Sequence, residues 1–439
     1  MVMLSDSKLK EFADKIVNYS MHIGQKNNPA YAKARKKYRW LNGSFTLQQA
    51  MRRSGLSKKK VEEIIKKYSD VDYGPLLIKK GKKYVVKDKI GHNVTIVYNP
   101  ATKKLKEYVE RACWKNGAFT ATRELCAKDA KDSLLIPPLE SLHEFPAMSR
   151  ATRETIDYRL NLEALESEFW ASKIPLSRLK AGSPAVQRIH EIEDRKKTRW
   201  VIVGWPHPET AKELGISYRK LSKIMFDSIW CTFDRKTKQL IDRYHRSFSN
   251  SKLIRIAADD GTDLAFSVKN RRFLKDDGIL DKEDIARDDV GMNIPCGEIF
   301  TAPVETSANG RLYFPKTMVS GHGMIHGLML YFKGGRVVRF TAKKGGKYLK
   351  KFLAENIGEK DRIAEFGIGL NRKAAYTGGD ILIDEKIHRT IHVAIGWNLG
   401  YGGKNNASSH LDFIKPLHNC NGRVYADGRM KIDRGVLVA

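Results

Sequence analysis

The sequence predicts an α/β N-terminal domain, an α+β, β-rich C-terminal domain, and a small basic domain inserted near the N-terminus. Residues 1–23 and 90–250 would form the first, residues 24–89 the insert, and residues 251–439 the last. Three observations lead to this division. A β-branched run followed by an amphipathic stripe comes after residue 90, short strands separated by Gly and Asn begin near residue 250, and positive charge is concentrated in residues 24–89.

The order of the elements predicts the N-terminal domain. Apolar residues at helical spacing between positions 9 and 20 indicate an amphipathic helix. Residues 90–100 indicate a buried strand closed by a turn, and the next apolar stripe predicts a helix over residues 103–115 that ends at Asn116-Gly117. Residues 199–206 indicate a second strand, with helical patterning behind it. Strand followed by helix favours an α/β layer.

Composition restricts the class of protein. Apolar residues make up 41% and charged residues 30% of the 439 positions, which is typical of a globular chain. No stretch reaches the roughly 18 apolar residues that span a bilayer, and the charged N-terminus is unlike a secretory signal, so we expect a cytoplasmic protein. The five cysteines are scattered, odd in number and without a CxxC pair. We expect them to be reduced and mostly buried.

Positive charge is unevenly distributed along the chain. The net charge is +30, and residues 24–89 hold 19 lysines and arginines against 5 acidic residues, a net charge of +14. Such a field attracts polyanions, whether DNA, RNA or an anionic membrane surface. The alternative is a solvated basic surface without a ligand.

The basic insert has the signals of two short helices and a hairpin. Thr46 and Gln49 fit a capping box, which predicts a helix start. Gly55 ends that helix, a second helix opens at Ser57, and a basic hairpin turns at Gly81. Helix, turn, helix and hairpin in this order resemble a winged helix-turn-helix domain.

Basic side chains lie where such a domain meets nucleic acid. Cations in the first turn of a helix are disfavoured by about 0.3–1 kcal/mol each, and phosphate oxygens would compensate them. We therefore expect DNA or RNA, and no membrane, as the partner of the insert. The predicted contacts are Arg52, Arg53, Lys58, Lys59, Lys60, Lys79, Lys80, Lys82 and Lys83. The alternative is a solvated helical hairpin that touches no polymer, and no pattern here assigns particular bases or distinguishes DNA from RNA.

Carboxylates and imidazoles in glycine-rich surroundings are the candidate chemical groups of the C-terminal half. They are Glu298, Glu365, His392, His410 and Asp412. Period-two geometry puts the last two on the same face of a strand. The set has enough N and O donors for two divalent ions, with zinc, cobalt or manganese suited to the imidazoles. Such a pair polarises a carbonyl and lowers the pKa of a water. Taken singly, each residue is more often a buried structural histidine or a turn glutamate.

These segments resemble the aminopeptidase T and aminopeptidase S family of metalloaminopeptidases. The resemblance rests on residues 297–303, 365–371, 392–396 and 409–412, and it covers residues 1–23 and about 90–439. It implies that all five side chains are metal ligands, that two divalent metal ions are the cofactors, and that peptides lose their N-terminal residues. It also implies a homodimer, and it makes residues 24–89 an insertion.

One position departs from the family pattern. The family has a tyrosine seven residues after the strand histidine, where this chain has Leu399, and Tyr401 could substitute for it. The expected catalytic residues are Glu298, Glu365 and Tyr401. The rival interpretation is a DNA- or RNA-binding factor that keeps the peptidase scaffold with weak or no activity. Two further histidines, His322 and His326, are expected to be non-ligands, with either of them lining the substrate cavity.

Overall fold

Three hydrophobic cores organise the part of the chain that the structure describes. The structure is a computed structural model and describes residues 4–23, 36–41, 43–68, 77–86, 92–163, 170–280, 284, 287 and 289–438. The expected ends of the insert, at residues 24 and 89, and the expected strand start at residue 90 lie outside the described residues.

The N-terminal helix begins at a side-chain cap. Helix α1 spans Asp6–Asp14 and continues as a π-helical turn over Lys15–Ser20, and the Ser5 hydroxyl accepts a hydrogen bond from the Lys8 amide. The helix buries Leu9 and Phe12 in the core of the N-terminal sheet. The helix predicted over residues 9–20 is confirmed.

The basic segment has its own small sheet and core. The Thr46–Gln49 capping box is present in both directions, and the helix after it ends at Gly55, whose φ of 69° is the left-handed region that glycine adopts without strain. Strand β1 pairs with β3, which pairs with β2. Seven buried apolar residues hold the unit together: Trp40, Leu41, Phe45, Ala50, Val61, Ile64 and Ile65. Its elements are β1 (Ser44–Thr46), α2 (Leu47–Ser54), α3 (Lys58–Tyr68), β2 (Leu77–Lys80) and β3 (Lys83–Val86).

A parallel five-stranded sheet forms the N-terminal layer. Its strands follow one another across the sheet in the order Gly291–Ile294 (β11), Arg199–Gly204 (β7), Tyr158–Glu163 (β6), Asn93–Tyr98 (β4) and Phe119–Glu124 (β5). Helices connect its strands, as parallel pairing requires. The elements are β4 (Asn93–Tyr98), α4 (Lys103–Lys115), β5 (Phe119–Glu124), α5 (Ala127–Leu135), α6 (Ala147–Thr155), β6 (Tyr158–Glu163), α7 (Leu176–Lys196), β7 (Arg199–Gly204), α8 (Pro208–Glu213), α9 (Tyr218–Thr232) and α10 (Arg235–Phe248). The predicted helix over residues 103–115 and the strand predicted over residues 199–206 are both present.

Two antiparallel sheets form the C-terminal part. The elements of this part of the chain are β8 (Leu253–Ala257), β9 (Asp263–Ser267), β10 (Leu274–Asp276), β11 (Gly291–Ile294), β12 (Glu298–Thr301), β13 (Asn309–Val319), β14 (Gly323–Lys333), β15 (Arg336–Thr341), α11 (Gly346–Glu355), β16 (Ile363–Gly369), α12 (Ile381–Asp384), β17 (Thr390–Gly396), β18 (His410–Pro416), β19 (Arg423–Ala426), β20 (Arg429–Asp433) and β21 (Val436–Leu437). One sheet has the order β15-β14-β13-β9-β8-β19-β20-β21, and the other β10-β12-β16-β17-β18. Strand β11 lies beyond residue 250 and yet joins the N-terminal sheet beside β7, so the two layers share chain segments.

The five-stranded antiparallel sheet has two different faces. On one face, Phe366, Val393 and Phe413 belong to the large C-terminal core. On the other face, small residues such as Gly367 and Ala394 alternate with polar ones, because successive side chains of a strand point in opposite directions. This second face carries the candidate site.

Two smaller observations complete the architecture. The five cysteines are free, and three of them are buried. In the described ranges, no helix has both the length and the apolar character needed to cross a membrane.

Candidate metal centre

The five side chains predicted from the sequence meet on one face of the antiparallel sheet. Glu298 comes from β12, Glu365 from β16, His392 from β17, and His410 and Asp412 from β18. Cα register places His392 opposite Gly367 and Asp412 opposite Ala394. Four neighbouring strands therefore deliver groups that are up to 114 positions apart in the chain to one place.

The cluster consists of two overlapping triads that share one glutamate. His392 Nε2 lies 3.4 Å from Glu298 Oε2 and 3.2 Å from Glu365 Oε1. His410 Nε2 lies 3.6 Å from Glu365 Oε2 and 3.2 Å from Asp412 Oδ2. In each triad the ligand atoms lie within 4.8 Å of one another. One oxygen of Glu365 faces each triad, so the two triads share this carboxylate.

The carboxylates of the cluster raise the pKa values of its two buried histidines. His392 is 1% exposed and Glu298 is 4% exposed. Burial alone would lower the pKa of His392, but the carboxylates of Glu298, Glu365 and Asp412 outweigh it and raise that pKa to about 9. Likewise, Asp412 and Glu365 raise the pKa of His410 to about 10 against the effect of burial. The field of the site therefore favours cations.

The residues present fit divalent cations by donor chemistry. Two imidazole nitrogens and three carboxylates form the mixed N/O set that zinc, cobalt and manganese accept. Glu298 Oε2 and Asp412 Oδ1 are buried atoms without a hydrogen-bond partner among the described residues. Buried polar atoms ordinarily have a hydrogen-bond partner. The lack of one at these two oxygens fits a role as ligands of a cation.

Steric crowding explains why position 367 is glycine. A Cβ atom at Gly367 would lie 1.9 Å from His392 Nε2, so only glycine lets the imidazole reach across its neighbouring strand. At Gly297 a Cβ would lie 2.9 Å from Asn371, whose amide donates to the Cys296 carbonyl at 2.7 Å. The motif glycines thus allow the close packing that positions the ligand side chains.

Tyr401 lies at the cluster, although Leu399 holds the usual tyrosine position. Its hydroxyl donates to the Trp397 carbonyl at 3.1 Å and lies 3.3 Å from His410 Nδ1. Burial, followed by the charges of Glu365 and Asp412, raises the pKa of Tyr401 well above its ordinary value. The phenol is therefore protonated and able to donate.

The His410 ring is oriented by the backbone. Its Nδ1 lies 2.8 Å from the Trp397 carbonyl, which can only accept, so Nδ1 carries the hydrogen and Nε2 is left for the cluster. This is the arrangement that fixes the tautomer of a metal-binding histidine.

Lys386 is a part of the site that was not predicted from the sequence. It is 1% exposed, and its Nζ lies 2.5 Å from Glu298 Oε1, 2.7 Å from Glu385 Oε1 and 3.5 Å from Asp276 Oδ2. The ammonium holds one oxygen of Glu298 and leaves the other facing His392. The available signal was the charged Asp384-Glu385-Lys386 run inside an otherwise apolar stretch, a pattern more typical of a solvated turn.

A cavity of about 450 Å³ adjoins the cluster. Four of the five predicted ligands line it, together with Tyr401, and helix α7 contributes His190 and Asp194 to its wall. The expectation that His322 or His326 lines this cavity is wrong. Both line a separate cavity of about 1170 Å³, because the turn between β13 and β14 lies elsewhere, and His322 Nε2 pairs with Glu355 at 2.7 Å.

The basic residues predicted to contact nucleic acid are exposed on the small unit. Arg52 and Arg53 end α2, and the three lysines 58–60 form the first turn of α3, which holds no acidic residue. The remaining four, Lys79, Lys80, Lys82 and Lys83, surround the hairpin turn.

Comparison with known proteins gives the family. The family described as thermophilic metalloprotease (M29) matches residues 62–413. Aminopeptidase T of Thermus thermophilus is 24% identical over 297 residues, which are 61% of this chain and 70% of that protein. Aminopeptidase AmpS of Bacillus subtilis is 23% identical over 195 residues, 41% of this chain and 46% of its own length, so the match spans less than half of that relative.

A solved structure gives the fold. The structure of wild-type AmpT from Thermus thermophilus has a TM-score of 0.61 and 19% identity, and the match covers 80% of this chain and 95% of that one. The mixed α/β architecture is therefore shared, and the family resemblance predicted from the motifs is confirmed, although nothing in these matches tests a winged-helix insertion. The chain belongs to the thermophilic metalloprotease family.

Proposed function

We propose that the chain is an aminopeptidase that removes N-terminal residues from peptides with the help of two divalent metal ions. The observation that carries the proposal is the pair of triads sharing Glu365. A pair of divalent cations bound there supplies Lewis acidity towards a carbonyl oxygen and lowers the pKa of a water. The carboxylates of Glu298 and Glu365 would hold the cations, and either would be placed to accept a proton from a water molecule. The Tyr401 hydroxyl would turn its hydrogen from the Trp397 carbonyl to the negative charge that develops on the substrate carbonyl oxygen.

Hydrolysis of a chromogenic leucyl anilide tests this function. The protein is stripped with chelator and then supplied with Zn²⁺, Co²⁺ or Mn²⁺. We expect turnover of the free-amine substrate and none of its N-acetylated form. His392→Ala should abolish turnover, whereas His388→Ala, which changes a histidine outside the cluster, should retain it. Absence of turnover with every metal, or equal turnover in the two variants, contradicts the proposal.

We further propose that residues 24–89 bind DNA or RNA. The support is the net charge of +14 and the position of exposed lysines at the start of α3, where phosphates would relieve their unfavourable interaction with the helix dipole. Lysine-to-glutamate changes at positions 58, 59 and 60 should weaken binding to DNA and RNA oligonucleotides and flatten its salt dependence. The matched control makes the same charge change at Lys128, Lys131 and Lys347, outside the insert. Equal losses in the two triple variants would show that only the overall charge matters.

Two further expectations stay predictions. The homodimer implied by the resemblance would sediment at twice the mass of the 49.9 kDa chain, and a cytoplasmic location would be checked by fractionation. The rival function, a nucleic-acid-binding factor on an inactive scaffold, requires salt-sensitive polyanion binding together with no turnover under any metal.

A further inference from the structure

Eight carboxylates of the described residues line the metal-centre cavity or the cluster beside it, and seven of them have a partner or a role. Glu298, Glu365 and Asp412 belong to the cluster. Asp276 and Glu385 surround Lys386, and Glu193 pairs with Arg153 at 2.5 Å and with Arg159 at 3.3 Å. Asp289 accepts a hydrogen bond from the Gly291 amide, and burial, followed by the charge of Asp284, raises the pKa of this carboxyl well above its ordinary value.

Asp194 is the carboxylate that remains. It is half-buried in the wall of the cavity, two residues before the last residue of α7, where the helix dipole disfavours an anion. No lysine or arginine of the described residues lies within 4.0 Å of it, and Lys197 acts on it only as a more distant charge. Burial raises the pKa of Asp194 to about 7. An anion kept in such a place lacks a cation.

The contacts of Asp194 connect it with the metal centre. Its Oδ2 accepts from Trp397 Nε1 at 3.0 Å, and its Oδ1 would lie 3.2 Å from a Cβ at Gly400, so the oxygen sits over bare glycine backbone. The carbonyl of the same Trp397 accepts from His410 Nδ1 and from the Tyr401 hydroxyl. One residue thus fixes the distance between the carboxylate and the cluster.

We propose that Asp194 binds the free α-ammonium group of the peptide's N-terminal residue. The inference rests on the proposed function. An ammonium held there supplies the missing counter-ion of this half-buried carboxylate through a charge-assisted hydrogen bond. A peptide bond in the interior of a chain brings no ammonium and leaves Asp194 without a counter-ion, which disfavours its binding. Asp194 is therefore the residue that makes the site select chain ends.

Calorimetry with two small probes tests the assignment. L-leucinamide carries the α-amine, and 4-methylpentanamide is the same molecule without it. Wild-type protein loaded with Zn²⁺ should bind leucinamide at least about tenfold more tightly, the discrimination expected for one charged hydrogen bond. Asp194→Asn, which keeps an oxygen for Trp397, should bring the ratio close to one while Zn²⁺ binding is unchanged. Glu191→Gln, on the exposed side of the same helix, should behave as wild type.

The outcomes separate this inference from the proposed function. If peptides are hydrolysed and Asp194→Asn keeps the wild-type ratio and KM, the amine binds elsewhere, for example at the metal ions, and the inference is overturned alone. If leucinamide fails to bind wild-type protein, the inference is also overturned. If the ratio depends on Asp194 but no peptide is hydrolysed, the ammonium site stands and the proposed function falls.

Discussion

Replacing Lys386 by methionine should destabilise the metal-free protein strongly. The ammonium is almost completely buried and is the counter-ion of three carboxylates within 3.5 Å. Removing one partner of a buried ion pair costs about 3–5 kcal/mol, because the remaining charge is left without compensation in a medium of low polarity. We therefore expect the free energy of unfolding to fall by about that amount. The measurement is urea denaturation in the presence of chelator, followed by circular dichroism.

Two companion variants make this test specific. Lys373→Met changes an exposed lysine nearby and should cost no more than about 0.5 kcal/mol. Asp276→Asn removes one of three carboxylates crowded around a single ammonium. Burial, against the attraction of Lys386, raises the pKa of Asp276 well above its ordinary value, so that loss should stay near about 1 kcal/mol. A loss for Lys386→Met as small as that of Lys373→Met would refute the reasoning that the ammonium is the essential counter-charge.

Three other changes follow from the site and its surroundings. Gly367→Ala should displace the His392 ring and abolish the binding of at least one Zn²⁺, measured by calorimetry. Gly182→Ala is the control, because a Cβ there makes only an ordinary 3.6 Å contact. Retained Zn²⁺ binding in Gly367→Ala would mean that the strand shifts to accommodate the methyl group. Tyr401→Phe should lower kcat for a leucyl anilide by about 100-fold or more with metal binding intact, and Leu399→Ala by much less; similar kcat values in the two variants would remove the phenol from the reaction. Burial raises the pKa of Asp384 from 3.8 to about 8, so the native state binds its proton more tightly, and stability should fall as pH rises between these values. That fall should be absent in Asp384→Asn, and an identical pH profile in urea titrations would exclude Asp384 as its origin.

Much of the secondary structure follows from local signals. The capping box at Thr46, the left-handed glycine at position 55 and the helix over Lys103–Lys115 depend on neighbouring residues alone, and all three are present. The strand over Arg199–Gly204 is similarly local, because β-branched and aromatic side chains favour extended backbone.

The candidate site could be predicted from the sequence only in part. Residue types and flanking glycines singled out the five clustered side chains, and the family resemblance made them a ligand set. His410 and Asp412 share a face by strand periodicity. Lys386 and Asp194 have no such signal. The sequence does not distinguish a buried lysine from a solvated one. Lys386 is buried because carboxylates from β10, β12 and the adjacent loop surround its ammonium group.

By itself, the sequence determined the chemical groups, the local helices and strands, and the concentration of charge near the N-terminus. The tertiary structure decided which groups meet. Strand pairing brings Glu298, Glu365 and His392 together, strand β11 joins a sheet formed mainly by residues before 250, and helix α7 places Asp194 opposite Trp397. The physical reason is that hydrogen bonds between distant strands and the packing of their apolar face set these positions, and neither is encoded by the spacing of residues along a single segment.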